Sequence, residues 1–298
     1  MYQTERKPSI GIVVLVTVLA CIALGLLGFI VYMKLLPQPA VQTEPTTVPT
    51  TQPPTTLPTE TTEATTVPTE PPIPLTDLRA EDFGYVDGVF TCVTRDCLMG
   101  IDVSKYQGAV DWHMVKAAGY DFVMIRLGYR GYGEAGGLKP DDWAKRHYQG
   151  AKEAGLLVGA YFFSQAVSVE EALEEAAYAL ELAKDWELEL PLVYDWEYIE
   201  YGRAAEVDTD TLTACAIAFC DEILAGGRDP MVYVSPWFGN MHLDQLKDYP
   251  HWLARYTDQL DYPYRFAMWQ YTCTGTVPGV QGEVDINIFF PELLEDLG

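Results

Sequence analysis

Two carboxylates stand one residue apart in Asp195-Trp196-Glu197, at the end of the apolar run Leu192–Trp196. Side chains alternate along a strand, so Asp195 and Glu197 share a face. Val193 shares it too, which places that face inward. Two further acids, Asp102 and Asp285, stand at the ends of other apolar runs, and Arg126 lies where it could neutralise one of these acids. Tyr161, Phe163, Tyr233, Trp237 and Trp269 are available to line a groove. Grouped carboxylates with aromatic walls suit hydrolysis of a glycosidic bond. A neutral acid protonates the leaving oxygen, and negative charge supports an oxocarbenium-like transition state. On spacing alone, a D-x-E pair at a strand end is as readily solvated or capping. Its meaning depends on the elements that gather these residues.

From Leu98 onward, short apolar runs alternate with helical patterns. Strands are expected at Leu98–Val103, Phe122–Leu127, Leu157–Phe163, Leu192–Trp196, Met231–Val234, His251–Ala254, Phe266–Tyr271 and Val284–Ile288. Asp111 caps a helix carrying Trp112, Val115 and Ala118 on one face. A second helix runs from about Trp143 to Ala154 and stops at Gly155. Ser168-Val169-Glu170-Glu171 matches a capping box, and a further helix spans about Thr209 to Leu224 before Gly226-Gly227. The fold class is α/β: an irregular TIM-like barrel with eight strands and about five helices, its last third having lost its helices. In such a barrel active residues belong at the C-terminal ends of strands. Asp102 ends the first strand, and Asp195 and Glu197 end the fourth. Asp285 opens the eighth, so it falls at the opposite end unless that strand is short or reversed.

Gly100-Ile101-Asp102-Val103-Ser104 with Gln107-Gly108 and Asp111-Trp112 resembles the opening motif of the glycoside hydrolase family 25 lysozymes. Segments 122–130 (FVMIRLGYR), 154–164 (AGLLVGAYFFS), 190–197 (LPLVYDWE), 252–256 (WLARY) and 269–287 (WQY to VDIN) follow in that family's order. The resemblance implies an N-acetylmuramidase on a flattened barrel. Its reaction would cleave the β-1,4 bond between N-acetylmuramic acid and N-acetylglucosamine in peptidoglycan, without a metal or other cofactor. By the same resemblance Glu197 is the catalytic acid, Asp195 the second active carboxylate, and Asp102 and Asp285 supporting acids. Net retention is the expected outcome, with the substrate's own acetamido oxygen as nucleophile. Phe162 stands where the family often has His, and Trp196 where it has an aliphatic residue. Two alternatives are an inactive glycan-binding module and a family 18-like chitinase. The latter expects another Asp where Val193 stands.

The remainder of the chain is expected to deliver this head to its substrate. Residues 1–8 form a cytoplasmic N-terminus, and residues 9–36 a transmembrane anchor built on the 24 uncharged residues Ile10–Met33. Residues 37–74 contain 13 Thr, 11 Pro and no aromatic residue, so they should stay disordered as a spacer. Residues 75–98 form a pre-domain segment and residues 99–298 the catalytic domain. The lipid bilayer and peptidoglycan glycan strands are the expected partners, with the head outside the cell membrane. A net charge of −24 argues against nucleic acid. Gly131-Tyr132-Gly133-Glu134-Ala135-Gly136 spells a dinucleotide fingerprint, but no helix opens there, so a loop over the groove is expected and no nucleotide. Cys92 and Cys97 flank a plausible turn and could pair. Cys215 and Cys220 read as small core residues.

Overall fold

Eight strands close into a barrel because the apolar runs bury one face against the barrel interior and the other against helices or, in the last third, against a hairpin and loops. The structure, a computed structural model, describes residues 73–236 and 241–295. The expected transmembrane anchor, the spacer up to residue 72, and Trp237 lie outside the described residues. Among the described residues, no helix is long and apolar enough to cross a membrane.

The first strands among the described residues form a hairpin, β1 (Phe83–Val86) and β2 (Val89–Cys92), turning at Asp87 (φ 50°) and Gly88 (φ 83°). Positive φ at both positions matches the turn that suits the twist of a two-residue hairpin. Barrel strands follow as β3 (Leu98–Val103), β4 (Phe122–Arg130), β6 (Leu157–Ser164), β7 (Leu192–Trp196), β8 (Pro230–Val234), β9 (His251–Ala254), β10 (Met268–Gly275) and β11 (Val284–Phe289). The short β5 (Leu138–Pro140) adds to the outer edge of β4. Around the barrel the order is β3-β11-β10-β9-β8-β7-β6-β4, and β4 pairs back onto β3.

All pairings in the ring are parallel except those of β11, which runs antiparallel to both β10 and β3. No helix separates β10 from β11, so the chain has no crossover with which to return parallel. The reversal carries Asp285, the second residue of β11, to the position opposite Asp102 at the C-terminal end of β3. Helices α1 (Trp112–Ala117), α2 (Ala144–Glu153), α3 (Val169–Leu182) and α4 (Thr209–Ala225) alternate with the first strands, and a last turn, α5 (Glu292–Glu295), follows β11. Asp111 and Ser168 cap α1 and α3 by accepting from backbone N–H groups, as their sequence positions imply, and Asp208 caps α4 in the same way.

Several expectations change. Cys92 and Cys97 are both free thiols. The turn of the hairpin lies at Asp87-Gly88 instead of Thr94-Arg95-Asp96, so the two cysteines do not face each other across it. Trp269 is fully buried on the outer side of β10, beneath the hairpin: its ring meets Phe83 at 4.9 Å and Phe90 at 5.8 Å. Its indole Nε1 donates to the Arg255 carbonyl at 2.8 Å. Trp269 is therefore a core residue and not a groove residue, because its neighbour Gln270 takes the inward phase of the strand.

Candidate active site

The C-terminal ends of the strands open into a groove of about 620 Å³. Asp102, Asp195, Glu197 and Asp285 all line it, together with Arg126, Tyr161, Phe163 and Tyr233. Alternation on β7 explains the carboxylate pair: Val193 and Asp195 face in, while Tyr194 and Trp196 pack outward. The same phase on β6 turns Tyr161 and Phe163 into the groove and Phe162 out against Tyr178 and Phe219. Phe162 and Trp196, the two departures from the family pattern, thus stand outside the groove.

The acids are held under strain of solvation rather than by counter-charges. Burial is the first cause that raises the carboxyl of Asp195 well above its ordinary range, followed by the Glu197 and Asp102 charges. Glu197 is raised by burial and by Asp102, with Arg126 opposing. Asp285 is pushed up to about 8, by burial first and then by Asp102 and Glu197. Asp102 rises only to about 6, because two amides hold its charged form. Gln270 Nε2 donates to Asp102 Oδ2 at 2.8 Å and Asn287 Nδ2 to the same oxygen at 2.9 Å. The amides are themselves oriented. Gln270 Oε1 accepts from the Tyr233 hydroxyl at 2.8 Å and from Tyr256 at 3.1 Å, and Asn287 Oδ1 accepts from Trp252 Nε1 at 2.8 Å. With their oxygens so occupied, both amides must aim NH₂ at Asp102.

Asp195 differs. Its Oδ1 is buried without a hydrogen-bond partner. Buried polar atoms are as a rule satisfied, so an orphan lining a groove is a place for a ligand's donor.

Arg126 does not pair with one of these four acids. Its Nε and Nη2 both donate to Asp141 Oδ2, at 2.9 and 2.7 Å, in a buried ion pair. Asp141 also accepts from the backbone of Lys105 and Trp143, so it anchors the loop after β3. Glu197 lies just past β7 and is held through its main chain: buried Gln165 donates from Nε2 to the Glu197 carbonyl at 2.9 Å. The glycine-rich segment after β4 is a loop, as expected, with Gly131, Tyr132 and Gly133 lining the groove. It is tied down where Arg130 donates to the Gly136 carbonyl and where the Arg203 N–H donates to Tyr132. Tyr106 and Tyr132, 77% and 61% exposed, offer open rings on the groove wall.

Gln270, Asn287, Asp141, Gln165 and Trp252 were not singled out from sequence as site residues. Gln270 and Asn287 do fall within the WQY and VDIN segments, and the alternation that points Asp285 inward also points Asn287 inward. Asp141 and Gln165 gave no such signal.

Residues 101–280 match the family model described as Glycosyl hydrolases family 25. The chain belongs to glycosyl hydrolase family 25. Among curated proteins it is 28% identical over 202 residues to an autolytic lysozyme of Clostridium acetobutylicum, covering 66% of this chain and 57% of that one. It is 30% identical over 207 residues to lysozyme M1 of Streptomyces globisporus, covering 64% and 67%. Among solved structures, the modular autolysin LytC of Streptococcus pneumoniae, in complex with a synthetic peptidoglycan ligand, aligns with a TM-score of 0.60 at 27% identity over 70% of this chain and 52% of that chain. The bacterial lysozyme of Streptomyces coelicolor aligns with a TM-score of 0.55 at 27% identity, over 68% and 97%. The chain spans little more than half the length of the autolytic lysozyme. The family 25 match contains Asp102, Asp195 and Glu197 and ends before Asp285, and it begins after the β1–β2 hairpin.

Proposed function

We propose that this family 25 protein is a membrane-anchored peptidoglycan hydrolase that cleaves the β-1,4 bond between N-acetylmuramic acid and N-acetylglucosamine with net retention. The observation that carries the reading is the gathering of four acids in one aromatic-walled groove, with Glu197 raised by burial and by a neighbouring carboxylate. A raised carboxyl keeps the proton that a departing sugar oxygen needs. Glu197 donates that proton and then, once ionised, takes one from the incoming water.

Asp195 supports the substrate's own nucleophile. Its unpartnered Oδ1 accepts the N–H of the 2-acetamido group, which turns the acetamido oxygen toward the anomeric carbon. Positive charge develops on that group as the glycosidic bond breaks, which favours the ionised form of the adjacent Asp195 against the burial that disfavours it. Asp102, fixed by Gln270 and Asn287, brings negative charge to the floor, which favours the protonated form of Glu197. Tyr161 and Tyr233 remain protonated, chiefly through burial, and serve as hydroxyl donors or packing surface.

Glu197→Gln should lower turnover of purified peptidoglycan by about 10²–10⁴-fold, the usual worth of general acid catalysis, while leaving glycan binding intact. Mass spectrometry of the digest should show new reducing ends at muramic acid. Glucosamine ends would assign a different specificity, and an absence of products would leave only a binding module. Proton NMR of early products should show the β-anomer first. If the α-anomer came first, Asp195 or Asp285 would be activating water directly, and the substrate-assisted route would have to be abandoned.

A further inference from the structure

The groove is polarised. Three of the chain's 19 basic residues, Lys105, Arg126 and Lys139, line one side of it. Lys105 follows β3, Arg126 lies on β4, and Lys139 lies on β5 directly opposite Tyr129 of β4. Asp195 on β7 and Glu197 just past it lie beyond β6 from this rim. Lys105 Nζ sits 5.1 Å from the centre of the Tyr129 ring and 5.5 Å from that of Tyr106. The Arg126 guanidinium packs against the same two rings at 5.4 and 5.2 Å. Two cations therefore crowd one aromatic pair, and only one has an acid.

Asp141 answers Arg126. Lys116, Lys152 and Lys184 find carboxylate partners elsewhere, whereas among the described residues Lys105 and Lys139 pair with none, as do Lys145 and Lys247, which lie outside the groove. In a chain with 43 acids, Lys105 is half-buried beside Arg126 with no acid partner among the described residues. Nor do the two lysines serve the acid pair. The charges that act on Glu197 are those of Asp102 and Arg126.

We infer that Lys105 and Lys139 form a carboxylate-binding subsite on the β3–β4–β5 rim, which takes a carboxylate borne by the muramoyl residue of the substrate. The inference rests on the peptidoglycan reading above and names what part of that polymer the rim grips. The muramoyl unit carries a lactyl ether whose carboxyl is either free or extended by a peptide with carboxylates of its own. Both sources offer the same anion to the same pair of ammonium groups. A chain of net charge −24 repels such a polymer at long range. A local cationic rim overcomes that repulsion within about 8–10 Å, the screening distance at physiological salt, and so sets the strand's orientation across the acids.

The test uses the full chain carrying Glu197→Gln, so that binding is read without cleavage. Titration calorimetry would compare the peptide-free disaccharide with the disaccharide–peptide, each alongside its carboxyl-amidated form. Lys105→Gln with Lys139→Gln should weaken binding of at least one carboxylate-bearing ligand about 5- to 20-fold and leave both amidated forms within twofold of the parent. The ligand affected identifies the source of the carboxylate. Lys139→Glu alone, an exposed change that spares the fold, should act in the same direction. Equal weakening of the amidated forms, or no weakening of any, would overturn the subsite while leaving the proposed reaction standing. Failure of every ligand to bind the parent chain would instead overturn the muramoyl substrate and the subsite with it.

Discussion

Asp285 stands where a negative charge is hardest to hold: partly buried, opposite Asp102, and near Glu197. Its carboxyl is pushed up to about 8 from an ordinary 3.8, by burial first and by those two acids next. Between these limits the folded chain binds a proton that the unfolded chain has lost. Stability must then fall as pH rises from about 4 to about 8, the reverse of an ion-paired carboxylate. Removing the charge should remove that loss. Asp285→Asn is therefore expected to raise Tm at pH 8 by at least a few degrees, since about 1 kcal/mol corresponds to roughly 2–4 °C for a domain of this size. The gain should shrink toward zero near pH 4, where the carboxyl is neutral in both states. Calorimetric scans at pH 4, 6 and 8 decide the matter. A gain independent of pH, or a loss at pH 8, would mean that Asp285 is not held against its charge. The expected fall in turnover of the same variant would mark the residue as one kept for chemistry at the expense of the fold.

Elements decide which of these residues meet, and the β1–β2 hairpin shows how. Phe83 and Phe90 cover the outer face of β10, where Trp269 is buried edge-on to both rings. Phe83→Ala should cost about 3 kcal/mol, within the range for a buried aromatic cut to alanine, and lower Tm by roughly 6–12 °C. A loss below about 1 kcal/mol in urea melts would show that the hairpin is an appendage and not a cover. The placement of Trp269 was not legible in sequence, for a physical reason. Alternation fixes that Trp269 and Gln270 face opposite ways, but not which faces in, and the deciding partner lies well over a hundred residues upstream. The same separation hid Asn287 and Gln270 as holders of Asp102, while Asp141, only 15 residues from Arg126, meets it across an irregular loop. Polar residues within strands carry no mark of the partner they will meet. What could be read was whatever depends on neighbours in sequence: apolar runs bounded by turns, caps at Asp111 and Ser168, and the inward pairing of Asp195 with Glu197. The position of Asp285 lay between these cases. The missing helix after β10 was visible, and it forces the reversal of β11 that brings Asp285 to the site.

For the whole molecule, charge and reach set the problem. Residues 75–298 carry a net −22, so the head should stay dissolved and apart from anionic surfaces. Such a head gains access to a polymer beside the membrane only if something holds it there. The proposed holder is the 24-residue uncharged run Ile10–Met33, whose length at about 1.5 Å per helical residue exceeds a hydrocarbon core of roughly 30 Å. Arg6 and Lys7 precede the run, favouring a cytoplasmic N-terminus. The 38 residues of the Thr/Pro block could extend to about 100 Å at roughly 3.1 Å per residue, which would let one anchored head sweep a layer of wall around its point of attachment. The full chain should therefore sediment with membranes and resist extraction by high salt, because its hold is apolar and not electrostatic. External protease acting on intact cells should cut within the Thr/Pro block and release a soluble head that still digests purified peptidoglycan. That head should lose activity against the intact wall at equal bulk concentration, since tethering raises the local concentration of head near its substrate. Recovery of the intact chain from the culture medium, or protection of the head from external protease in sealed cells, would rule this arrangement out and leave the lysines of the groove rim as the protein's means of finding its polymer.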